Sequence, residues 1–364
     1  MTTTKLEWND LVPDADSYQD VFESSALASE TDFSLADTQP RLHYALEQLL
    51  YPRATSRFLL TKAPEEAEYL TLIGETLASL LPATHTPAGG QYDITGSIVR
   101  FEPTTDPESN FVGKQPVVIA DWVEAEQLFG CLRQFNQEIT LQPGLVHQAN
   151  GGVLLISLRA LLAQPLLWMR LKTMVTQRRF DWVSFDESRP LPVSVPSMPL
   201  DLKVVLVGER DSLAEFQEME PELAAQAIYS EYEETLQVTD SDTLRVWRQW
   251  VEQTASAAQL PTPAADAWAT LIREAVRYTG DQETLPLCPL WLSRQLREVA
   301  ALTADDTFDN DALTSMLAQR EWREGFLAER MQDEILLEQI LIETEGERIG
   351  QVNALSVIEF PGHP

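Results

Sequence analysis

Residues 149–162 read ANGGVLLISLRALL, and the fold turns on what this stretch is. Two glycines precede a short apolar run, and a Ser-Leu-Arg step leads into a helical pattern. A continuous apolar run bounded by glycines marks a strand buried on both faces. In nucleotide-hydrolysing α/β machines such a strand ends in two acids that hold magnesium and activate water. Here those two positions are Ser157 and Leu158. A neutral hydroxyl binds magnesium poorly, and a leucine cannot polarise water.

Upstream, SRFLLTKAPEEAEYLTLIGETLASLLP holds a short apolar strand, RFLL. The helix PEEAEYLTLIGETLASLL follows, with Pro64 near its start and Glu65 and Glu66 in its first turn. Strand, tight turn and helix frame a phosphate-binding loop, which needs glycines so that backbone N–H groups can converge on the anion. The connecting residues, TKAPEE from Thr61 to Glu66, contain no glycine. Glu65 and Glu66 would repel phosphate, and Lys62 stands before the turn. The Gly113-Lys114 pair is followed by Gln115 and has Glu108 where the first glycine belongs, so it offers no substitute.

The remaining pattern alternates. QPRLHYALEQLLYP reads as a helix with Leu42, Ala45, Leu46 and Leu49 on one face, ended by Pro52. SIVRFEP and QPVVIADW read as strands, PATHTPAGGQYDITG as a loop and VEAEQLFGCLRQF as a helix. LRALLAQPLLWMRLKTMVTQRRF is helical with a break at Pro165, PLDLKVVLVGERD is a buried strand, and EPELAAQAIYSEY is a helix. This order predicts an α/β domain with a mostly parallel sheet over residues 41–240. Residues 241–345 read as an all-α domain without strands. Its last helix is capped by Asp309 or Asn310 and repeats Leu327, Met331 and Ile335 at every fourth position. The tryptophans of VWRQW, DAW and LW read as its core.

Residues 1–40 carry nine acids and one lysine and read as an acidic arm, with Trp8, Leu11, Phe22 and Leu27 as anchors. Residues 346–364 read as an extended apolar segment that stops where a new sheet should begin.

Composition narrows the function. The 364 residues are 44% hydrophobic and 23% charged, and the length exceeds what one core usually holds. The net charge of −31, from 26 basic and 57 acidic side chains, disfavours direct nucleic-acid binding. The densest basic stretch, Arg170 to Phe180, spreads its charges around a helix as a solvated face. No apolar run is long enough to span a membrane, and the first residues lack the pattern of a signal peptide. Cys131 and Cys288 lie far apart, outside any CxxC pair, which predicts reduced thiols and a cytoplasmic protein. His43, His85, His147 and His363 lack metal-site spacing, and no GxSxG elbow occurs. The acids of EEAE (65–68) and YEETLQVTDSD (232–242) read as solvated faces and loops.

IETEGERIGQVNALSV resembles the junction between the ATPase module and the peptidase of Lon-related proteases of the LonB-like branch. VHQANGGVLLISLRALL is similar to that family's Walker B segment, and PLDLKVVLVGERD with FQEMEPEL to its sensor-1 strand and the helix after it. RYTGDQETLPLCPLWLSRQLREVA resembles the lid helix that supplies sensor 2. The resemblance covers roughly residues 41–360. It implies an α/β AAA+-like domain, a helical lid, and a junction from residue 346 leading to a peptidase domain absent from this chain.

The resemblance also places the site residues. The Walker B acids fall on Ser157 and Leu158, the phosphate loop on Thr61, Lys62 and the residues after them, and sensor 2 on Arg294 or Arg297. Either arginine reads equally as an exposed helix residue. The basic residue that reaches a neighbour's nucleotide is replaced by Ile228, Tyr229 and Ser230. The insertion between the Walker motifs is short, from Pro82 to Phe111. No catalytic residue, metal or cofactor is expected in this chain.

The expectation is a degenerate AAA+-like regulatory or scaffold module of a Lon-related serine protease. It would assemble as a homo-oligomer, a hexamer by the resemblance, and engage a protein substrate or partner. Two alternatives stand beside it. One is an ATP-dependent serine peptidase that uses ATP and magnesium in the full-length protein. The other is an acidic docking module for a basic, ribosomal-type partner.

Overall fold

A computed structural model describes residues 21–22, 33–54, 56–81, 87–136, 138–184, 188–337 and 339. At its centre is a sheet of five strands: β1 (Phe58–Lys62), β2 (Val117–Ala120), β3 (Val153–Ser157), β4 (Lys203–Gly208) and β5 (Ile228–Glu231). Their order is β5-β1-β4-β3-β2, and all pairings are parallel. β1, the strand that leads into the loop expected to bind phosphate, thus stands inside the sheet between β4 and β5.

Both faces of the sheet are covered, which is why its strands read as unbroken apolar runs. Helices α1 (Pro40–Leu50) and α2 (Ala67–Leu80) share a buried cluster with Leu59, Leu155, Val205 and Val207. Helices α3 (Pro165–Gln177) and α4 (Arg210–Met219) pack with Leu60, Leu154, Ile156, Val204 and Leu206 on the opposite face. α1 buries Leu42, Ala45, Leu46 and Leu49, the face its spacing predicts.

The ANGG turn before β3 needs each of its last three residues. Gly151 has φ 95°, a conformation open to glycine at little cost. At Gly152 an added Cβ would lie 2.1 Å from the carbonyl oxygen of Pro116, so only glycine lets the entries to β2 and β3 approach. Asn150 donates from Nδ2 to the Pro199 carbonyl (3.1 Å) and accepts from the Asp201 N–H (2.8 Å), fixing the chain that enters β4.

After β5 the chain forms α5 (Ser241–Ala257), α6 (Trp268–Thr279), α7 (Pro289–Ala300), α8 (Asn310–Glu324) and α9 (Phe326–Leu336). Asp240 caps α5 and Asp309 caps α8, each accepting an N–H of its helix's first turn. Trp247, Trp250 and Trp268 are buried, in one cluster with the α1–α2 side of the sheet. Two hydrogen bonds tie the parts together: Tyr232 Oη donates to the Leu287 carbonyl (2.7 Å) and Trp247 Nε1 to that of Pro286 (2.9 Å). Phe22 stacks on Trp268 with ring centroids 5.0 Å apart, and Arg248 donates to the Val21 carbonyl (2.6 Å). The other expected anchors, Trp8, Leu11 and Leu27, lie outside the described residues, as do His85, His363 and the junction 346–364.

Several local expectations need correction. VEAEQLFGCLRQF is a short helix, Ala125–Phe129, and then a strand, Cys131–Phe135, paired with Glu138–Gln142. Gly130, at φ 72°, ends the helix where a Cβ would strike the Gln142 carbonyl. The expected loop PATHTPAGGQYDITG contributes a strand, Gly89–Thr95, that pairs with Ile98–Pro103. EPELAAQAIYSEY is helical only over Pro221–Ala224. Its Ile-Tyr pair then enters β5, where β-branched and aromatic side chains fit the pleat. The long last helix divides at Gly325, and Leu327 and Met331 are exposed. The helical part also holds short ladders, Thr262–Pro263 with Thr307–Phe308, and Thr284–Pro286 with Thr235–Gln237.

Candidate functional site

The ends of β1 and β3 and the start of α2 converge where a phosphate loop and its magnesium acids would meet. The loop is not glycine-lined, and it does not begin as a helix. α2 starts at Ala67, later than expected, leaving Pro64 and Glu65 outside it. Glu65 is not solvated, contrary to the reading of EEAE: it is 6% exposed and turned toward β3. Its Oε2 accepts the Ser157 hydroxyl, and it accepts the Arg159 N–H at 2.8 Å.

Ser157 is fully buried, its hydroxyl committed to Glu65. It opens a short helix, Leu158–Leu162, whose first N–H groups have no partner within the helix. The Glu65 carboxylate fills that role. Leu158 is fully buried in the cluster that holds Leu213 and Phe216. Neither residue expected at the Walker B positions therefore presents a free polar group to an open site.

Thr61 lies in β1, in register with Val207 of β4 and Ser230 of β5. Its hydroxyl is buried without a hydrogen-bond partner among the described residues. Lys62 ends β1, and its Nζ donates to Glu234 Oε1 at 2.9 Å, so the lysine of the loop is already paired. Ile228, Tyr229 and Ser230 belong to β5 at the sheet's edge, with Tyr229 exposed.

The two candidate arginines on α7 part company. Arg294 is paired with Glu298 and with Glu324 of α8. Around Glu298 burial pushes the carboxyl up, but hydrogen bonds from Arg320, Arg294 and Arg323 outweigh it and hold it down at about 2. Arg294 is thus part of a lock between α7 and α8. Arg297 instead lines a groove of about 390 Å³ with Phe33, Glu68, Leu72, Trp250 and Ser293.

Among the described residues, no group of three His, Cys, Asp or Glu side chains is placed to hold a metal. His147 is fully buried among Phe111, Phe180 and Trp182, and burial pushes its pKa down to about 3. Its Nδ1 accepts the Gly144 N–H (3.0 Å), so this neutral ring holds a turn. Cys131 and Cys288 are free thiols. Sequence reasoning missed Glu65 as a buried partner of Ser157. The available signal was joint: an acid appears in the loop where the resemblance expects a glycine, and a hydroxyl where it expects an acid.

The parallel sheet, its strand–turn–helix frame at Thr61 to Ala67 and the helical part after it define an AAA+-like module. Residues 113–227 match the family model described as "LonB-like, AAA domain". The chain is Lon-related: it is 66% identical over 364 residues to the "Putative Lon protease homolog" of Escherichia coli (strain K12), covering 100% of this chain and 62% of that protein. The homolog of the same description from Haemophilus influenzae is 32% identical over 367 residues, covering 99% of this chain and 59% of that protein. The "Archaeal Lon protease" of Pyrococcus abyssi is 27% identical over 234 residues, covering 60% of this chain and 22% of that protein. The chain thus spans about three-fifths of the length of the first two relatives. No described helix is long and apolar enough to cross a membrane.

Proposed function

We propose that this chain is a nucleotide-independent regulatory module of a Lon-related protease, an AAA+-like frame that does not hydrolyse ATP. The observation that carries the reading is the Glu65 carboxylate seated on Ser157 Oγ and the Arg159 N–H. An internal carboxylate there supplies the negative charge that a phosphate would bring, and it repels any phosphate that approaches. Lys62 is held by Glu234, and Leu158 is packed in the core, so neither residue is free to bind phosphate or activate water. With no cofactor to drive a cycle, the module works by binding. It assembles with copies of itself, in the cytoplasm, and presents protein substrate to a peptidase domain of the longer protein. The relatives' description as Lon protease homologs supports that last step, and the acidic surface favours basic partners.

Sedimentation of the chain with and without ATP and magnesium tests this. The reading expects one assembled mass, unchanged by nucleotide. A mass that appears only with nucleotide would contradict it.

A further inference from the structure

We propose that the groove between α2 and helices α5 and α7 is a peptide-binding site that selects a basic residue beside an apolar one. The inference rests on the reading above, that no triphosphate occupies this end of the molecule.

The groove has about 390 Å³, within the range of ligand pockets. Its floor is apolar: Trp250 from α5, Leu72 from α2, Phe33 and Pro289. Its polar groups stand on opposing walls. Glu68 and Glu75, spaced about two turns apart on α2, share a face with Leu72, while Arg297 and Ser293 come from α7. Among the described residues, no hydrogen bond or ion pair engages the side chains of Glu68, Glu75 or Arg297. These side chains therefore carry unspent charge around an apolar floor, an arrangement fitted to an incoming ligand rather than to internal packing.

The sign of the charge names the ligand class. Two carboxylates face one guanidinium, so a polyphosphate is repelled and a cation is attracted. An apolar side chain can rest on Leu72 and Phe33 while a neighbouring lysine or arginine meets Glu68 or Glu75. Arg297 and Ser293 are then free to bond the peptide's carbonyl or carboxylate oxygens. A segment of unfolded protein has all three features, and a nucleotide has only the last.

The test is fluorescence anisotropy of the full chain with a fluorescein-labelled peptide of alternating leucine and arginine. Matched peptides replace arginine by glutamate, or leucine by serine. Saturable binding of the first peptide alone is expected. The double variant Glu68→Lys/Glu75→Lys should weaken it roughly tenfold, since each reversal turns an exposed attraction into a repulsion. The variant Glu215→Lys/Glu218→Lys, which makes the same charge change on exposed α4 across the sheet, should leave affinity within about twofold. Leu72→Arg, which blocks the floor, should abolish binding, with thermal unfolding confirming that each variant is folded. Equal weakening by the α2 and α4 variants, or no saturable binding, would overturn the proposal. Displacement of the peptide by ATP with magnesium would instead contradict the nucleotide-independent reading and leave the groove as the binding site.

Discussion

Ser157 donates its hydroxyl proton to Glu65 across 92 residues of sequence, joining the end of β3 to the loop before α2. Both are buried, and the same carboxylate oxygen receives the Arg159 N–H. Buried groups depend on such partners, because a donor or acceptor left without one loses about 1–3 kcal/mol.

Glu65→Ala should therefore destabilise the chain by about 2–4 kcal/mol, since it strands both the Ser157 hydroxyl and the Arg159 N–H. Ser157→Ala should cost less, about 1 kcal/mol, because the carboxylate keeps its backbone donor. Urea unfolding of both single variants and the double variant measures the coupling. Additive losses would mean that the two side chains do not share an interaction.

Restoring an acid to β3 should harm rather than help. Ser157→Asp places a second carboxylate against Glu65 in a buried site, where like charges cannot both ionise comfortably. Its loss of stability should exceed that of Ser157→Ala, and adding Glu65→Gly should recover most of the difference. Thermal unfolding of the three variants checks this. A Ser157→Asp protein as stable as the parent would speak against a filled site.

Acid should unfold the protein in two windows. His147 has an ordinary value of 6.5 and a folded value of about 3, because burial resists its charging. Its contribution is present above pH 6.5 and is lost as pH falls toward 3, where the unfolded chain takes up a proton that the folded ring refuses. Glu298 falls from an ordinary 4.5 to about 2 in the fold: burial opposes the charge, and three arginines more than offset it. Its contribution is present above pH 4.5 and is lost toward pH 2. Denaturation midpoints measured against pH should flatten in the upper window for His147→Gln and in the lower one for Glu298→Gln. A variant that leaves its own window unchanged would remove that residue from the account.

The stacking of Phe22 on Trp268 makes the described part of the arm a piece of the core. Phe22→Ala should cost about 3 kcal/mol, the usual loss for a buried phenylalanine. A shift of less than about 0.5 kcal/mol in urea unfolding, the range of a surface substitution, would show that the contact does not hold in solution.

The central sheet was legible because burial on both faces writes itself as apolar runs. RFLL, QPVVIADW, GGVLLIS and PLDLKVVLVGERD each contain one of its strands. The α1 face was legible from its spacing. Edges were harder to read. Ile228–Glu231 hides behind a helix-forming alanine run, and Cys131–Phe135 begins after a glycine whose left-handed turn no periodicity reveals. In the site, the sequence singled out Ser157 and Leu158, but pattern alone could not say that Glu65 stands outside its helix to meet Ser157. That depends on a contact between distant segments. The two arginines of α7 looked alike in sequence. Only the fold separates Arg294, locked to α8, from Arg297, open to the groove.

The most direct measurement is isothermal titration of ATP with magnesium into the purified chain, with phosphate release followed in the same samples. A site closed by Glu65 predicts no saturable heat up to about millimolar nucleotide, where binding free energy is about −4 kcal/mol, and no release of phosphate. Micromolar binding accompanied by turnover would contradict the account.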